Sequence, residues 1–260
     1  MIWVIGSAGL LVILTLWWLL VRTEGVYLGR GVVIWLYDLY AGRYDKIVQH
    51  EDVDEHLHLA IPLMTRLHPQ TAPLILDIAT GTGRMPLALC QHARFEGYIV
   101  GLDASKGMLR KAVEKIEREH FVGYTTFMWG DGTALPFDDG SFDVVTCMEA
   151  LEFMPQPERG LQEMVRVLRA GGLLLTTRRI NEPFMPGKLW SRERMRELLS
   201  VEGIEQIEYE DWQYDYEKVW GVKVGESVFR GVDAVDGLLA KVETQVDEDG
   251  IVQVVGEKAH

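Results

Sequence analysis

Cysteine is scarce in this chain, with two among its 260 residues. Cys90 and Cys147 both lie inside apolar runs, and neither has a second cysteine or a histidine at metal-ligand spacing. Because a disulfide framework and a cysteine-based zinc site both need grouped ligands, these two classes are excluded and no metal is predicted. The low cysteine content fits a reducing compartment.

Positively charged residues are also few. Lysine and arginine number 26 against 39 aspartates and glutamates, which leaves a net charge of −13. This balance argues against nucleic acid as a main partner, because binding phosphates needs a positive face. Hydrophobic residues make up 48% of the chain and charged residues 25%, as is typical of a globular protein.

Charge of either sign is missing from the first 21 residues. A helix of about 20 residues spans the roughly 30 Å of a hydrocarbon core. Trp17 and Trp18 come near the end of the run and Arg22 follows it, which is the order of interfacial aromatics and cationic stop found in membrane anchors. The sequence therefore predicts a transmembrane helix over residues 1–22.

Two alternatives to an anchor remain open, a cleaved signal peptide and a buried core helix. A signal peptide needs a basic start and small residues at its cleavage site, whereas residues 1–4 carry no lysine or arginine and residues 19–22 carry no small residue. Basic residues concentrated after the run would place a single-pass protein's catalytic domain on the cytoplasmic side. They are Arg22, Arg30, Arg43 and Lys46.

A second apolar patch covers residues 32–37 and is too short to span a membrane. It is expected to form a lid that packs on the following domain, with an interfacial helix as the alternative.

From residue 74 onward, apolar runs typical of buried strands alternate with helical segments. The alternation predicts an α/β fold with a doubly wound, mostly parallel seven-stranded sheet and a ligand crevice at the carboxyl ends of its strands. The expected strands are residues 74–78, 98–103, 125–129, 142–147 and 173–177, closed by an antiparallel pair over 204–210 and 214–222. The expected helices are residues 84–93, 105–120, 157–169 and 191–200.

Four regions follow from these patterns. They are the transmembrane anchor (1–22), a linker with N-terminal lid helices (23–70), the sheet domain (71–224) and an acidic tail (225–260) with a possible hairpin of residues 238–245 against 251–255.

The first two strand ends carry residues suited to holding a nucleotide-like ligand. Gly81 and Gly83 allow close approach of a ligand to the backbone, although the dinucleotide fingerprint fails because Pro86 stands where its third glycine would be. Asp103 ends the second strand, where an acidic residue is well placed to accept hydrogen bonds from ribose hydroxyls. A tight turn and a helix cap are the respective alternatives.

The next two strand ends are acidic as well. Asp131 is suited to accept a hydrogen bond from an exocyclic amine, with a solvated turn as the alternative. Glu149 and Glu152 follow the fourth strand, three residues apart, so one helical turn would make them neighbours. Either is a candidate catalytic base or substrate-orienting group, and the alternative is a pair of solvated loop carboxylates.

Together these segments resemble the successive motifs of class I S-adenosylmethionine-dependent methyltransferases, in the ubiquinone/menaquinone-biosynthesis branch. The resemblance covers residues 37–180 in register and extends more loosely to 222, with Ala79 at a position where the family has glycine. The segments are DIATGTG, IVGLDAS, WGDGTALPF and SFDVVTCMEALEFMPQPERGLQEMVRVLRAGG.

The resemblance implies S-adenosylmethionine as the cofactor. It implies that Asp77 and the backbone from Gly81 to Gly83 hold the methionine end, that Asp103 binds the ribose and that Asp131 binds the adenine amine. It implies no role for Glu149 or Glu152, because the family usually has other residues there. The expected cofactor-binding residues are Asp77, Ala79, Gly81, Gly83, Asp103, Ala104, Asp131 and Gly132, and the expected lid residues are Tyr37, Tyr40 and Tyr44.

Three functions compete at this point. The first is a membrane-anchored methyltransferase that acts on a lipid-soluble or membrane-associated small molecule by in-line transfer. The second is a methyltransferase of a soluble small molecule or protein, in which the helix serves localisation only. The third is a non-catalytic cofactor-binding module, because a fold does not fix a function.

Overall fold

The computed structural model describes residues 2–45, 55–181, 185, 189–242 and 244–254. Its α-helices are Ile2–Trp17 (α1), Arg30–Tyr40 (α2), Ile61–Leu67 (α3), Arg84–Cys90 (α4), Lys106–Arg118 (α5), Pro157–Val167 (α6), Arg192–Val201 (α7) and Val235–Lys241 (α8). Its strands are Leu74–Ile78 (β1), Tyr98–Asp103 (β2), Thr125–Trp129 (β3), Phe142–Cys147 (β4), Leu168–Arg179 (β5), Ile204–Asp211 (β6), Tyr216–Lys223 (β7), Thr244–Val246 (β8) and Val252–Val254 (β9).

The strands form one mixed sheet in the order β6-β7-β5-β4-β1-β2-β3-β9-β8. Strands β1 to β5 run parallel, and β7 closes antiparallel on β5. The central strands β1 and β4 are buried along their whole length, as their apolar runs predict for strands covered on both faces. The α/β class and the expected strand positions from residue 74 to 223 are therefore confirmed.

The predicted number of seven strands is too low, because the acidic tail adds two more. Strand β9 pairs parallel with β3, and β8 pairs antiparallel with β9. The Asp247 carboxylate accepts the N–H groups of Asp249 and Ile251, which closes the turn between β8 and β9. The buried Ile251 side chain joins a core cluster with residues of α5 and β3. The tail thereby covers an edge that would otherwise present unpaired backbone groups.

The predicted tail hairpin is present but shorter than expected. Residues 238–241 belong to helix α8 rather than to a strand, and Leu238 packs into the main core. Residue 255, the predicted end of the second strand, lies outside the described residues.

The predicted transmembrane helix over residues 1–22 is not supported. In the described chain, none of the helices has both the length and the apolar character needed to cross a membrane. Regular α-helical bonding ends at Trp17, and residues Trp18–Arg22 form a π-helical turn. The 16 residues of α1 rise only about 24 Å, which is less than the hydrocarbon thickness of about 30 Å.

The predicted lid is helix α2. Its Val33 and Leu36 side chains are buried, whereas Trp35 and Leu39 on the other side are exposed. The helix lies against α5 across the carboxyl edge of the sheet: the Asp38 carboxylate accepts hydrogen bonds from Ser105 Oγ at 2.6 Å and Gly107 N at 2.8 Å. One face of α2 thus covers the domain while the other remains open.

Candidate active site

A cavity of about 840 Å³ lies at the carboxyl ends of β1 to β4, under the lid helix α2. The strand order reverses between β1 and β4, because β2 and β3 lie on one side of β1, and β4 and β5 lie on the other. Doubly wound sheets bind ligands at such a switch point. The walls of this cavity include the predicted residues Tyr37, Tyr44, Ala79, Gly81, Asp103, Ala104, Asp131, Gly132 and Glu149.

Asp77 lies just behind this cavity, at the end of β1. Its carboxylate accepts hydrogen bonds from Thr146 Oγ1 at 2.6 Å and Thr80 Oγ1 at 2.7 Å. Burial raises the pKa of Asp77 to about 6, although these two hydroxyls oppose the shift. The side chain lines a smaller adjoining cavity with Tyr44 and Arg84, so it is better placed to hold the loop after β1 than to reach across the main cavity.

The loop after β1 follows a left-handed backbone path. Ala79, Gly81 and Gly83 have φ values of 55°, 56° and 76°, a region that costs a non-glycine residue about 1–2 kcal/mol. A Cβ at Gly81 would point into open space, whereas one at Gly83 would lie 3.1 Å from the Ala112 Cβ. Gly81 therefore leaves room for a ligand, and Gly83 lets α5 pack closely.

Asp103 ends β2 and faces the main cavity. Its two carboxylate oxygens accept the N–H groups of Gly81 and Ser105, both at 2.8 Å. Burial raises the pKa of Asp103 to about 6, and the nearby Asp38 adds to the shift. The side chain is fixed in orientation while its remaining lone pairs face the cavity.

Asp131, after β3, is held from two sides. Its Oδ1 accepts hydrogen bonds from the Thr133 N–H and hydroxyl, both at 2.8 Å. Its Oδ2 lies 2.9 Å from Nη1 of Arg30, at the start of the lid helix. The carboxylate therefore connects the cavity wall to the lid.

Ala104 and Gly132 take part through their backbones. The Ala104 carbonyl accepts the Trp129 indole N–H at 2.9 Å. A Cβ at Gly132 would lie 2.8 Å from Ile78 Cγ2, so the close approach of this loop to β1 requires glycine.

The three lid tyrosines separate into two groups. Tyr37 and Tyr44 line the main cavity, with ring centroids 6.0 Å apart. Tyr40 does not reach it and is 39% exposed, lining a second cavity instead. The Asp45 carboxylate, beside Tyr44, binds Thr82 Oγ1 at 2.5 Å and Lys115 Nζ at 2.9 Å, so this end of the lid is also tied to the domain.

Glu149 is at the wall shared by the two cavities. Its φ is 53°, and its N–H donates to Thr177 Oγ1 at 2.6 Å. Its Oε1 lies 2.7 Å from Arg84 Nη2 and accepts a hydrogen bond from Gln213 Nε2 at 3.2 Å. Glu149 thus lines both cavities with its carboxylate paired to a buried arginine, and its position beside a reacting group stays a prediction.

Glu152 does not lie beside Glu149 in either cavity. It lines a small separate pocket with Arg178 and Trp190, and its Oε1 accepts a hydrogen bond from the Tyr216 hydroxyl at 2.5 Å. The prediction that both glutamates face the acceptor is wrong for Glu152, because the chain between them does not form the expected helical turn: a 3₁₀ turn begins only at Leu151.

The second cavity, of about 1340 Å³, opens between the N-terminal segment and the start of β7. It shares Tyr37, Tyr44, Glu149 and Phe153 with the main cavity, so the two meet at these side chains. At its other end it reaches Leu20 and Val21, in the last turn of the apolar N-terminal helix.

Sequence reasoning missed four charged residues of this region. Glu24 and Arg30 precede the motifs, in a segment interpreted as a linker and as flanking positive charge. Arg84 follows Gly83 directly, yet only the fold brings it to Glu149. Arg179 ends β5 and lines the second cavity; its position at a parallel strand's carboxyl end is the one signal that would have found it.

The central part of the chain matches known proteins. Residues 76–176 match the family described as methyltransferase domain. The demethylmenaquinone methyltransferase of Lactiplantibacillus plantarum is 31% identical over 54% of this chain and 59% of its own length. The ubiquinone/menaquinone biosynthesis C-methyltransferase UbiE of Rhizobium johnstonii is 29% identical over 56% and 57%.

Among solved structures, a SAM-dependent methyltransferase from Aquifex aeolicus aligns with a TM-score of 0.55 at 17% identity, over 65% of this chain and 92% of its own. That likeness concerns the fold. The chain spans between half and two thirds of the length of these two curated relatives.

Proposed function

Since residues 76–176 form a class I S-adenosylmethionine-dependent methyltransferase domain with relatives in the ubiquinone/menaquinone branch, we propose that the whole chain methylates a lipid-soluble, quinone-type acceptor at a membrane surface. The observation that carries the proposal is the second cavity, which shares the boundary residues Tyr37 and Glu149 with the main cavity and reaches Leu20 and Val21. An acceptor ring can lie at the junction while its apolar chain leaves along the N-terminal helix.

The residues of the main cavity fit S-adenosylmethionine. The Asp103 carboxylate, fixed by two backbone N–H groups, is placed to accept the ribose hydroxyls. Asp131, one strand further along, is placed to accept the adenine amine, and Leu102 and Met108 supply apolar wall between them. The open space at Gly81 leaves room for the backbone to approach the methionine end.

The cofactor supplies a methyl group on a positively charged sulfur, which departs as a neutral thioether. The chain's own contribution is then alignment and exclusion of water. Tyr37, Tyr44 and Phe153 provide the aromatic boundary at the junction of the cavities, with Tyr37 6.4 Å from the Phe153 ring centroid. Glu149, held by Arg84 at that junction, orients the acceptor there.

The membrane part of the proposal depends on exposed apolar side chains. Helix α1 exposes Leu10, Leu11, Val12, Ile13, Leu14, Leu16 and Trp17, and Trp35 and Leu39 on α2 are exposed as well. Such a contiguous apolar surface is characteristic of membrane or partner contact. We place this surface in the lipid interface, with the catalytic domain on the cytoplasmic side where Arg22 and Arg43 follow the apolar run.

The acceptor class is tested with radiolabelled methyl. The full chain is incubated with labelled S-adenosylmethionine and either a lipid extract or an aqueous extract, with Asp103→Ala as the control expected to lose the cofactor. Label in the lipid fraction alone is expected. Label in aqueous products alone moves the assignment to a soluble acceptor. If calorimetry shows that the chain binds the cofactor but no methyl group is transferred to either extract, the chain is a binding module.

Membrane contact is tested separately. The double variant Leu11→Gln/Leu14→Gln changes exposed positions that do not line either cavity. Because full burial of a leucine contributes about 1.5–3 kcal/mol, vesicle sedimentation should show binding weakened by about tenfold or more. The control is Val228→Gln, which changes a more exposed apolar residue outside that surface. Equal vesicle binding by both variants would contradict the membrane contact.

A further inference from the structure

Glu24 enters the second cavity from the N-terminal segment. The chain reverses there through two consecutive left-handed residues, Glu24 with φ 50° and Gly25 with φ 75°. The Gly25 N–H donates to the Leu19 carbonyl at 2.8 Å, which fixes the reversal. A left-handed glutamate costs about 1–2 kcal/mol, and backbone strain of this kind is concentrated at functional sites.

The Glu24 carboxylate is paired with a lid tyrosine. The Tyr37 hydroxyl donates to Glu24 Oε2 at 2.6 Å, and Tyr37 lines both cavities. Burial raises the pKa of Glu24 and Glu149 adds to the shift, whereas the hydrogen bond from Tyr37 and the charge of Arg179 oppose it. Glu24 is thus a more basic carboxylate than an exposed glutamate, at the place where an acceptor ring would lie.

The other two glutamates of the region are held differently. Glu149 is bound by Arg84 at 2.7 Å, so its carboxylate already has a charged hydrogen-bond donor as its partner. Glu152 has the same type of partner as Glu24, a tyrosine hydroxyl, but it lies in the separate small pocket. Glu24 therefore combines a phenol partner with access to the acceptor cavity.

We propose that Glu24 is the proton acceptor for the methyl-accepting ring, which binds in the second cavity as a hydroxylated aromatic with an apolar chain directed toward Leu20 and Val21. This inference rests on the proposed function and adds a residue from outside the methyltransferase domain to the reaction. The acceptor's O–H bond breaks and its proton goes to Glu24. The electron pair left on the ring system forms the bond to the methyl carbon as the carbon–sulfur bond breaks, with that bond's pair going to sulfur.

Charged and titratable groups from several elements surround Glu24. The charged and titratable groups that line the second cavity together with Glu24 are Tyr37, Tyr40 and Tyr44 of the lid, Glu149 after β4, Arg179 at the end of β5, and Tyr214, Asp215 and Tyr216 around the start of β7. Of these, Arg179 is placed to balance the negative charge that moves onto the ring, since its guanidinium lies 5.4 Å from the Tyr216 ring and 5.7 Å from the Phe153 ring.

The first test is binding without methyl transfer, using 1-naphthol and its methyl ether as probes. A hydroxyl that donates to a carboxylate gains about 1.5–3 kcal/mol, so the full chain should bind 1-naphthol at least tenfold more tightly than 1-methoxynaphthalene by calorimetry. Glu24→Gln should reduce this ratio to a fewfold, and Glu24→Asp should give an intermediate ratio. Glu152→Gln is the matched control, because it removes a carboxylate that also accepts a tyrosine hydroxyl, that of Tyr216 rather than Tyr37, but lies outside the second cavity, so it should keep the ratio.

The second test is the pH profile of methyl transfer to a hydroxylated naphthalene in detergent. The wild type should lose activity as the pH falls through the pKa of Glu24, and Glu24→Gln should lose about 100-fold or more of its rate together with that acidic limb. Cofactor affinity should be unchanged in the variant.

Equal affinity of the wild type for the two probes overturns the inference. A Glu24→Gln variant that keeps the tenfold ratio overturns it as well, and one that loses cofactor binding assigns Glu24 to lid closure instead. If Glu24→Gln abolishes the preference for 1-naphthol but the wild type methylates no acceptor, the binding site is supported and the proposed function is contradicted. Failure of the inference and failure of the proposed function are therefore distinguishable.

Discussion

The main cavity has a sheet side and a lid side, and the two are held in different ways. On the sheet side, the buried Asp77 is bound by two hydroxyl donors and the partly buried Asp103 by two backbone N–H groups, both close to the strand ends. On the lid side, Arg30 reaches Asp131 through a partly exposed ion pair, and Lys115 reaches a half-exposed Asp45.

This difference predicts that the sheet side of the cavity is rigid and that the lid side can separate from it more easily. Buried hydrogen bonds to charged groups are worth about 1.5–3 kcal/mol each, whereas exposed ion pairs contribute about 0–1 kcal/mol and weaken with salt. We therefore expect the sheet side to be the more rigid of the two, and the lid side to be the one whose ion pairs can be exchanged for water, while the hydrogen bonds of Asp38 to Ser105 and Gly107 keep its helix attached.

The largest expected effect is on the sheet side. Asp103→Ala removes the acceptor of two backbone N–H groups and of the ribose hydroxyls, so S-adenosylmethionine should bind about 10- to 100-fold more weakly, equivalent to about 1.5–3 kcal/mol. Asp103→Asn keeps one acceptor oxygen and should lose less. Unchanged affinity by calorimetry in a folded Asp103→Ala protein would rule out the ribose role.

The second effect concerns pH. Burial raises the pKa of Asp77 and of Asp103 to about 6 from about 4, so the folded state holds these protons more tightly than the unfolded chain. The stability that they contribute is present below about pH 4 and is lost as the pH rises through about 6.

Urea unfolding of the cofactor-free protein should therefore show a falling free energy of unfolding over that range, by about 1 kcal/mol per pH unit at most for each group. Asp103→Asn should flatten the slope. Asp138→Asn, which removes an exposed carboxylate whose pKa is lowered by Lys241, should leave the slope in place. A slope of the same size in both variants would place the effect elsewhere.

The lid side should respond more weakly. Arg30→Ala breaks the ion pair with Asp131, and cofactor affinity should fall by about two- to fivefold at low salt, with the difference shrinking at high salt. Lys241→Ala, which breaks an exposed pair with Asp138 far from the cavity, serves as the control. If Arg30→Ala weakened cofactor binding as much as Asp103→Ala does, and equally at low and high salt, the distinction between the two sides would not hold.

The smallest effect is expected at Ala79, on the sheet side but under strain. Its φ of 55° suits glycine, so Ala79→Gly relieves strain while adding freedom to the unfolded chain. The net gain in unfolding free energy should stay below about 1 kcal/mol, seen as a slightly higher melting temperature. Ala88→Gly, in the right-handed helix α4, should be destabilising by comparison; equal losses in both would contradict the strain.

The sheet side was predictable from the sequence because its signals are local. Each of Asp77, Asp103 and Asp131 directly follows an apolar run, and the order of the runs determines that their ends meet. Glycine spacing located the loop after β1 in the same way.

The lid side was less predictable because its contacts join distant parts of the chain. Arg30 pairs with Asp131, and Tyr37 with Glu24 across a reversal that no local motif marks. The expectation that Glu149 and Glu152 act together failed for a similar reason: Tyr216, on β7, holds Glu152 away from the cavity. The length of the N-terminal helix was also misjudged, since composition alone does not show where α-helical bonding changes to a π turn.

The pairing of β3 with β9 has a consequence for the order in which the molecule assembles. Strand β3 ends at Trp129, and its partner at the edge begins at Val252. During synthesis β3 therefore stays an open edge until residues 252–254 have followed it, and open edges are sites of intermolecular pairing. The tail's ion pairs to α5, Arg110 with Asp249 and Lys106 with Asp247, draw the last strands to that edge and complete the sheet.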